Sequence, residues 1–485
     1  MKITKLLILV LLFVVQSHLT AQWQPDVRLT NDPAYSCTNE YSSQCIAAGG
    51  GFVYTVWFDQ RDGNYEIYYK RSVNQGSSWF PDVRLTNNAA SSVYPCLAVS
   101  GSLSHVVWVD DRDGNEEIYY KRAINYGAAW ENDVRLTNNP SISYVPIVTA
   151  SGTDVYVVWE DLRDGNSEIY FKKALENGIY WGNDVRLTNN SAKSYYPFVA
   201  ASGTIVHVAW GDERNGNEEI YYKRSTNAGQ NWSADTRLTY QTAQSRSPFI
   251  AVSGSVVHLA WHDNRDGNWE IYYQRSLDGG VNWSTATRLT NNNGMSNFPG
   301  VSVSGYIVHV VWCDDRNGNL EIYYKRSTNS GQNWGSDTRL TNNAAISFGA
   351  SVSASGSNVH VVWTDGRDGN LEIYYKQDPT GNAIGIKNIS SEVPKEFSLS
   401  QNYPNPFNPA TNFELQIAKF GLVLVIVYDI LGREVATLVN EQLQPGTYEV
   451  EFDDTNYPSG VYFYKLIAVD ASSPLSITKK MVLLK

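Results

Sequence analysis

A 51-residue period constrains this chain more than any other feature. Trp57, Trp108, Trp159, Trp210, Trp261, Trp312 and Trp363 recur at that interval without drift, each followed by a segment of the form DxRDGNxEIYYKR. Between them recur RLTNN segments starting at Arg84, Arg135, Arg186, Arg288 and Arg339. Self-similarity of this kind means one supersecondary unit repeated, with neighbouring copies burying each other's apolar faces.

Each unit reads as four strands. A short run ending in Ser-Gly, such as Phe249 to Gly254, precedes an alternating VVHLAW-type strand. An Asp-Gly-Asn or Asn-Gly-Asn turn leads into EIYYKRS, and a Gly-containing loop leads to a DVRLT strand. Asp-Gly and Asn-Gly mark hairpins because those turns require positive φ. Four strands in about 50 residues is the size of a propeller blade. The seventh unit stops after Tyr375 and Lys376, while its missing Trp and last strand stand at the other end of the chain, in Trp23 to Thr30. The expected fold is therefore all-β: a seven-bladed propeller over 22–377, closed by the N-terminal strand so that no edge is left open.

Residues 1–21 read as a signal peptide. Lys2 and Lys5 precede the apolar run Leu6 to Val15, which is too short to span a bilayer, and Ala21 suits cleavage. No later segment reads as membrane-spanning. A net charge of −11 and a pI near 5.2 exclude nucleic acid as a partner, which would need clustered Lys and Arg. Four cysteines in an exported chain are free to pair. A local Cys37–Cys45 bridge is favoured, with Cys45–Cys96 as its rival because those two occupy equivalent repeat positions.

The loop after EIYYKRS carries a further motif. Ser276, Asp278, Gly280 and Trp283 fit S-x-D-x-G-x-x-W, and Ser225 to Trp232 and Ser327 to Trp334 fit it with Asn for Asp. This resembles the Asp-box, or BNR, repeat of sialidase-like propellers. The resemblance implies turn-stabilising elements remote from any active centre. After a linker at 378–394, residues 395–485 change character: Gln401-Asn-Tyr-Pro-Asn-Pro-Phe407, Asp429 to Arg433 and Pro458-Ser-Gly-Val-Tyr462 appear in order. This part resembles the type A C-terminal sorting domain of the type IX secretion system. That resemblance implies a small Ig-like β-sandwich, dealings with the secretion machinery, and delivery through the periplasm to the cell surface or the medium. The alternating strands and the PNP and PSG turns indicate a β-sandwich independently.

Seven-fold sameness restricts chemistry. His105, His207, His258, His309 and His360 sit on equivalent strands and should not converge on a metal. In each 2–3 turn, residues such as Asp59, Asp62, Asn64 and Glu66 have oxygens suited to Ca²⁺, but their spacing departs from DxDxDG. A hairpin with Arg–Asp and Arg–Glu pairs is the favoured reading, with no metal or other cofactor required. Departures from the repeat are more informative. The fifth unit has Tyr240-Gln241 for Asn-Asn, Arg246 on its first strand, His262 after the repeat Trp, and Trp269 before Glu270. Arg246, His262, Asp263, Arg265 and Trp269 should share one face, as a ligand site for a sugar or an acidic group. Sialidases need three different arginines, a Tyr–Glu nucleophile and an Asp acid, commonly with a Phe-Arg-Ile-Pro-like motif, which is absent here. The function expected is that of an exported binding propeller for glycan or another extracellular polymer, with no catalytic residues. A sialidase-like exo-glycosidase and a non-catalytic structural protein are the alternatives.

Overall fold

The computed structural model describes residues 23–484 apart from 40–42, 380, 382–385, 391, 409, 454–458 and 471–472. The signal peptide and its cleavage point lie outside the described residues. Seven antiparallel sheets follow one another along the repeats, and two more form the C-terminal domain. A representative blade, the fourth, orders Ser194–Ser202, Ile205–Asp212, Glu219–Ser225 and Thr236–Arg237 side by side. The N-terminal strand Val27–Arg28 pairs with Tyr375 and Tyr374, so the last blade is completed from the start of the chain. Ring closure is reinforced on the inner strands, where the Cys45 amide donates to Ser351 Oγ at 3.1 Å.

The second strand of each blade, Phe52–Asp59 in the first, is buried along nearly its whole length. Its apolar alternation is therefore read from both sides by neighbouring blades, as in other sheets covered on both faces. The repeat Trp is fully buried in all seven copies. A second aromatic contact joins the blades. The Asp-box Trp of one blade meets, edge to face, the second EIYY aromatic of the blade before: Trp283 on Tyr222 at 5.0 Å, Trp130 on Tyr69 at 4.8 Å, and Trp23 on Tyr324 at 5.0 Å.

Within the box, Ser276 Oγ donates to Asp278 at 2.8 Å, while the Gly280 and Asn282 amides donate to Ser276 Oγ and Asp278 respectively. Gly280 has φ +84°, and a Cβ there would meet the Tyr222 hydroxyl at 1.8 Å. Glycine is thus required twice, by conformation and by the close approach of the neighbouring blade. Ser276, Asp278 and Gly280 are thus bonded to one another within the turn, and Trp283 packs on the neighbouring blade.

A lysine on the third strand adds another tie. Lys70, Lys121, Lys172, Lys223, Lys325 and Lys376 each donate to the carbonyl of the Leu that follows the outer strand of the preceding blade. Six of the seven junctions have this tie; at the junction of blades 4 and 5 the lysine is replaced by Gln274. The five repeat histidines also have one shared role, each placing Nδ1 at 2.7–2.8 Å from the hydroxyl of Tyr120, Tyr222, Tyr273, Tyr324 or Tyr375. Burial pushes the imidazoles of His105 and His207 down to about 4, so they are neutral structural partners of the tyrosines.

Two expectations are corrected. All four cysteines are buried thiols outside any disulfide, so neither the Cys37–Cys45 bridge nor its Cys45–Cys96 rival is formed. Cys37 sits in a ladder opposite Phe58 and accepts from Thr364 Oγ1 of blade 7 at 3.6 Å, whereas the Cys45 thiol meets the Pro95 carbonyl of blade 2 at 3.6 Å. The two thiols are engaged by opposite neighbours. The segment read as a linker also contributes structure: Ile386–Ser390 pairs with Gly446–Asp453 in the C-terminal domain. That domain is a sandwich of two four-stranded antiparallel sheets, and its Tyr464 hydroxyl anchors the Pro-rich stretch by donating to the Ser400 carbonyl at 2.9 Å.

Candidate functional site

The 2–3 turns and the connections between blades share one face of the propeller, tied where Asn64 Nδ2 donates to the Asn88 carbonyl at 3.1 Å. Most of the polar residues on this face are already committed to each other. In blade 1, Asp59 accepts from Ser36 Oγ, Trp57 Nε1 and both sides of the Arg61 guanidinium. Arg61 continues to Asp82 at 2.7 Å and lies over the Tyr68 ring at 4.4 Å. Burial alone would push the Asp59 carboxyl up; the Arg61 hydrogen bonds outweigh it and hold the group below the usual carboxylate range. Asp62 is taken by Tyr68 and Arg84, and Glu66 by Arg84 and Asn64. The oxygens suited to Ca²⁺ are thus occupied by guanidinium, phenol and amide donors. Among the described residues no group of three His, Cys, Asp or Glu side chains has the geometry to hold a metal ion.

Where the repeat varies, a different arrangement appears. The residue after the repeat Trp faces the β-bulge that opens the first strand of the next blade, and its chemistry decides the junction. Glu160 Oε1 accepts from the Tyr196 amide at 2.7 Å, His262 Nδ1 from the Phe298 amide at 3.4 Å, and Thr364 Oγ1 from the Thr38 amide at 2.9 Å. Phe58 instead meets the Tyr94 ring edge to face at 5.9 Å. In blades 3 to 6 these variable residues link into a continuous arc. Tyr144 and Ser167 hydrogen-bond to Glu160, and Tyr196 packs on Tyr195 at 5.2 Å. Tyr195 donates to Glu218, which pairs with Arg246. Arg246 lies over Trp269 at 5.4 Å, Trp269 meets His262 at 4.9 Å, and His262 meets Phe298 at 5.3 Å.

Of the five residues expected to form a site, the structure brings Arg246, His262 and Trp269 together, with Arg246 directly paired to His262 across the strands. Arg246 is 36% exposed and Trp269 is partly so, leaving both available to a ligand. His262 is 5% exposed; burial, followed by nearby Arg246, pushes its imidazole down to about 3, so it supports the site from beneath as a neutral acceptor. Asp263 is buried in the repeated network, accepting from Ser245, Trp261 and Arg265. Arg265 is part of the same network but has one partner fewer than its sister arginines. Sequence reasoning passed over Glu160, Tyr195 and Glu218: all three stand at positions that vary between repeats, but only Glu160 has no counterpart, since Tyr144 matches Tyr195 and Glu116 matches Glu218. A concavity of about 380 Å³ opens at the other ends of the strands, beside Gly51, Phe52 and Ser304, and includes none of the blade 5 residues.

Glu160 is the one fully buried carboxyl of the arc without a cation, and burial pushes it up to about 7 against the pull of Tyr144, Tyr196 and Ser167. Ser167 Oγ lies 2.8 Å from the Ser194 carbonyl and 3.1 Å from Glu160, and its single proton serves one of them at a time. A protonated Glu160 satisfies both by donating to the serine. Because its folded pKa lies above the unfolded value, its stabilising contribution is complete below about 4.5 and is lost as pH rises through 7. Glu160→Gln, which mimics the neutral acid, should match the parent at pH 5 and exceed it at pH 8 by on the order of 3 kcal/mol in denaturant unfolding. Equal stability of the two proteins at pH 8 would show that folding does not raise the Glu160 pKa.

Comparisons place the two parts of the chain. Residues 401–483 match the secretion system C-terminal sorting domain. This segment is a type IX sorting domain, and it directs the protein to the cell surface or the medium. Over the propeller, the polysaccharide lyase Uly1 superposes with a TM-score of 0.53 at 9% identity, covering 73% of this chain and 98% of that one. At that identity the likeness is one of fold. The phage phi92 endosialidase superposes with a TM-score of 0.48 at 11% identity, covering 94% and 87% of the two chains. The Trypanosoma rangeli sialidase in complex with 2,3-difluorosialic acid gives 0.43 at 10%, covering 95% and 90%. A TolB homolog of Chlorobaculum tepidum is 39% identical over 69 residues, and the chain spans 14% of the length of that curated relative.

Proposed function

We propose that this exported protein is a non-catalytic binding propeller that holds a glycan or another extracellular polymer on the blade 3–6 part of its loop face. The observation that carries the reading is the Arg246–Trp269 pair, a partly exposed guanidinium over an indole at 5.4 Å. An aromatic plate beside a charged donor suits a sugar ring and its polar substituents. The rest of the face supports binding over turnover, because its repeated carboxylates and guanidiniums are already paired and have no free proton or nucleophile to offer. The fold is shared with a protein named as a polysaccharide lyase, which agrees with a polymer as partner.

One observation speaks for a glycosidase: Tyr195, Glu218 and Arg246 form a bonded trio at the same place. Its electrostatics run the wrong way for a phenolic nucleophile. Burial, then the charge of Glu213, pushes the Tyr195 hydroxyl upward, and Glu218 is shared with Arg246. A glycan array probed with the secreted protein tests the proposal, with Trp269→Ala and Arg246→Ala each expected to weaken the best hits by about tenfold or more, the scale of an aromatic or arginine anchor. Binding to no glycan or polymer would retire the reading. Turnover of a fluorogenic sialoside, abolished by Arg246→Ala, would replace it with the enzyme.

A further inference from the structure

Blade 5 departs from its sisters at two positions that lie twelve residues apart in sequence and whose counterparts meet in the six sister blades. In the other six blades the turn arginine extends Nη1 to the aspartate that precedes the last strand, Asp26, Asp82, Asp133, Asp184, Asp235 or Asp337, at 2.6–2.8 Å. The tie lysine takes the other oxygen of the same carboxylate at 2.7–2.9 Å. These aspartate side chains are 20–23% exposed, so solvent reaches the position. In blade 5 the aspartate is Ala286 and the lysine is Gln274.

What remains is a prepared cation without its second carboxylate. Arg265 is fixed by Asp263 at 2.8 Å and lies over the Tyr272 ring at 4.2 Å, and among the described residues it hydrogen-bonds to Asp263 alone. Gln274 is 7% exposed; its Nε2 donates to the Ser284 carbonyl at 2.9 Å, and its Oε1 has no hydrogen-bond partner. A buried amide oxygen left unpaired is costly and calls for a donor. The same turn carries Trp269.

We infer that blade 5 binds the carboxylate of a sugar acid, with the ligand's carboxylate taking the place that an aspartate side chain fills in the six sister blades. Arg265 Nη1 donates to the carboxylate, and a neighbouring hydroxyl of the sugar donates to Gln274 Oε1. A carboxylate beside a hydroxyl is the pattern of a hexuronate, which is why an acidic polysaccharide fits better than an acidic peptide. Naming a sugar acid rests on the polymer-binding reading above; the notch itself rests only on the comparison between blades.

The test uses the whole secreted protein, the Gln274→Lys/Ala286→Asp variant, and five probes: glucuronate, galacturonate, the methyl ester of each, and acetate. The double variant installs residues that six blades already carry, so it should fold at least as well as the parent. Calorimetry on the parent should show binding of at least one hexuronate, weakened about tenfold or more by esterification and again by the double variant, the effect of losing a charge-assisted hydrogen bond. No binding of either hexuronate, equal affinity for acid and ester, or unchanged affinity in the double variant would overturn the notch. Acetate binding as tightly as the hexuronates would overturn the sugar acid. If Trp269→Ala abolishes array binding while the double variant leaves it intact, the polymer reading stands and the notch falls.

Discussion

Asp161→Ala should destabilise the propeller by about 3–5 kcal/mol in denaturant unfolding, the scale expected when one partner of a buried, hydrogen-bonded ion pair is removed. The carboxylate is fully buried and gathers Ser143 Oγ at 3.0 Å, Trp159 Nε1 at 2.8 Å, the Arg163 amide at 3.0 Å and Arg163 Nε at 2.8 Å. Removing it strands a buried indole donor and a serine, and it frees one edge of a guanidinium that lies over Tyr170 at 4.4 Å. Arg163 keeps Asp184 at 2.7 Å, which places the loss at the inner end of the network. Asp161→Asn retains acceptor capacity and should cost less than the alanine. If both substitutions fall within about 0.5 kcal/mol of the parent, the network is a surface ornament of the kind exposed pairs often are.

The same residues show how much could be read from the chain alone. The 51-residue period, the aromatic positions and the split last blade are each visible in sequence, because the repeats keep one spacing and the strand missing from the seventh stands at the start of the chain. The roles of the repeated histidines and of DxRDGN were also legible as structure-bearing, since equivalent positions on a ring cannot converge. Two things were hidden. The residue after the repeat Trp looks merely variable, yet as Glu160, His262 or Thr364 it meets an amide of the next blade, a contact visible only once the bulge at Tyr144 to Ile147 and its equivalents is known. Gln274 and Ala286 look like unrelated drift, and only the meeting of lysine and aspartate in the sister blades makes them one event. The cysteines misled for the same reason: eight residues of separation suggests a bridge, but Cys37 and Cys45 are drawn toward blades 7 and 2.

Ending the chain after Gly381 should leave a folded propeller that stays in the periplasm. The cut is placed by two contacts. Gly381 still accepts from Arg326 Nη1 at 2.6 Å, so residues up to that point belong to the ring, and the closing pair of Val27–Arg28 with Tyr374 and Tyr375 is kept. Ile386–Ser390 belongs to the sandwich, so a cut at Pro394 would leave an unpaired strand exposed and invite aggregation that mimics a secretion defect. Within the sorting domain, the Phe407 amide donates to the Val482 carbonyl and the Leu484 amide to the Phe407 carbonyl, both at 3.0 Å, joining the Pro-rich stretch to the last strand. The signal is therefore a folded unit, and it should act when moved: residues 386–485 fused to a periplasmic reporter should carry that reporter outward. Surface proteolysis of intact cells reads both results. Delivery of the truncated propeller to the surface at the parental level would refute the sorting role of the sandwich, whereas a truncated propeller found unfolded would show instead that the ring depends on the domain that follows it.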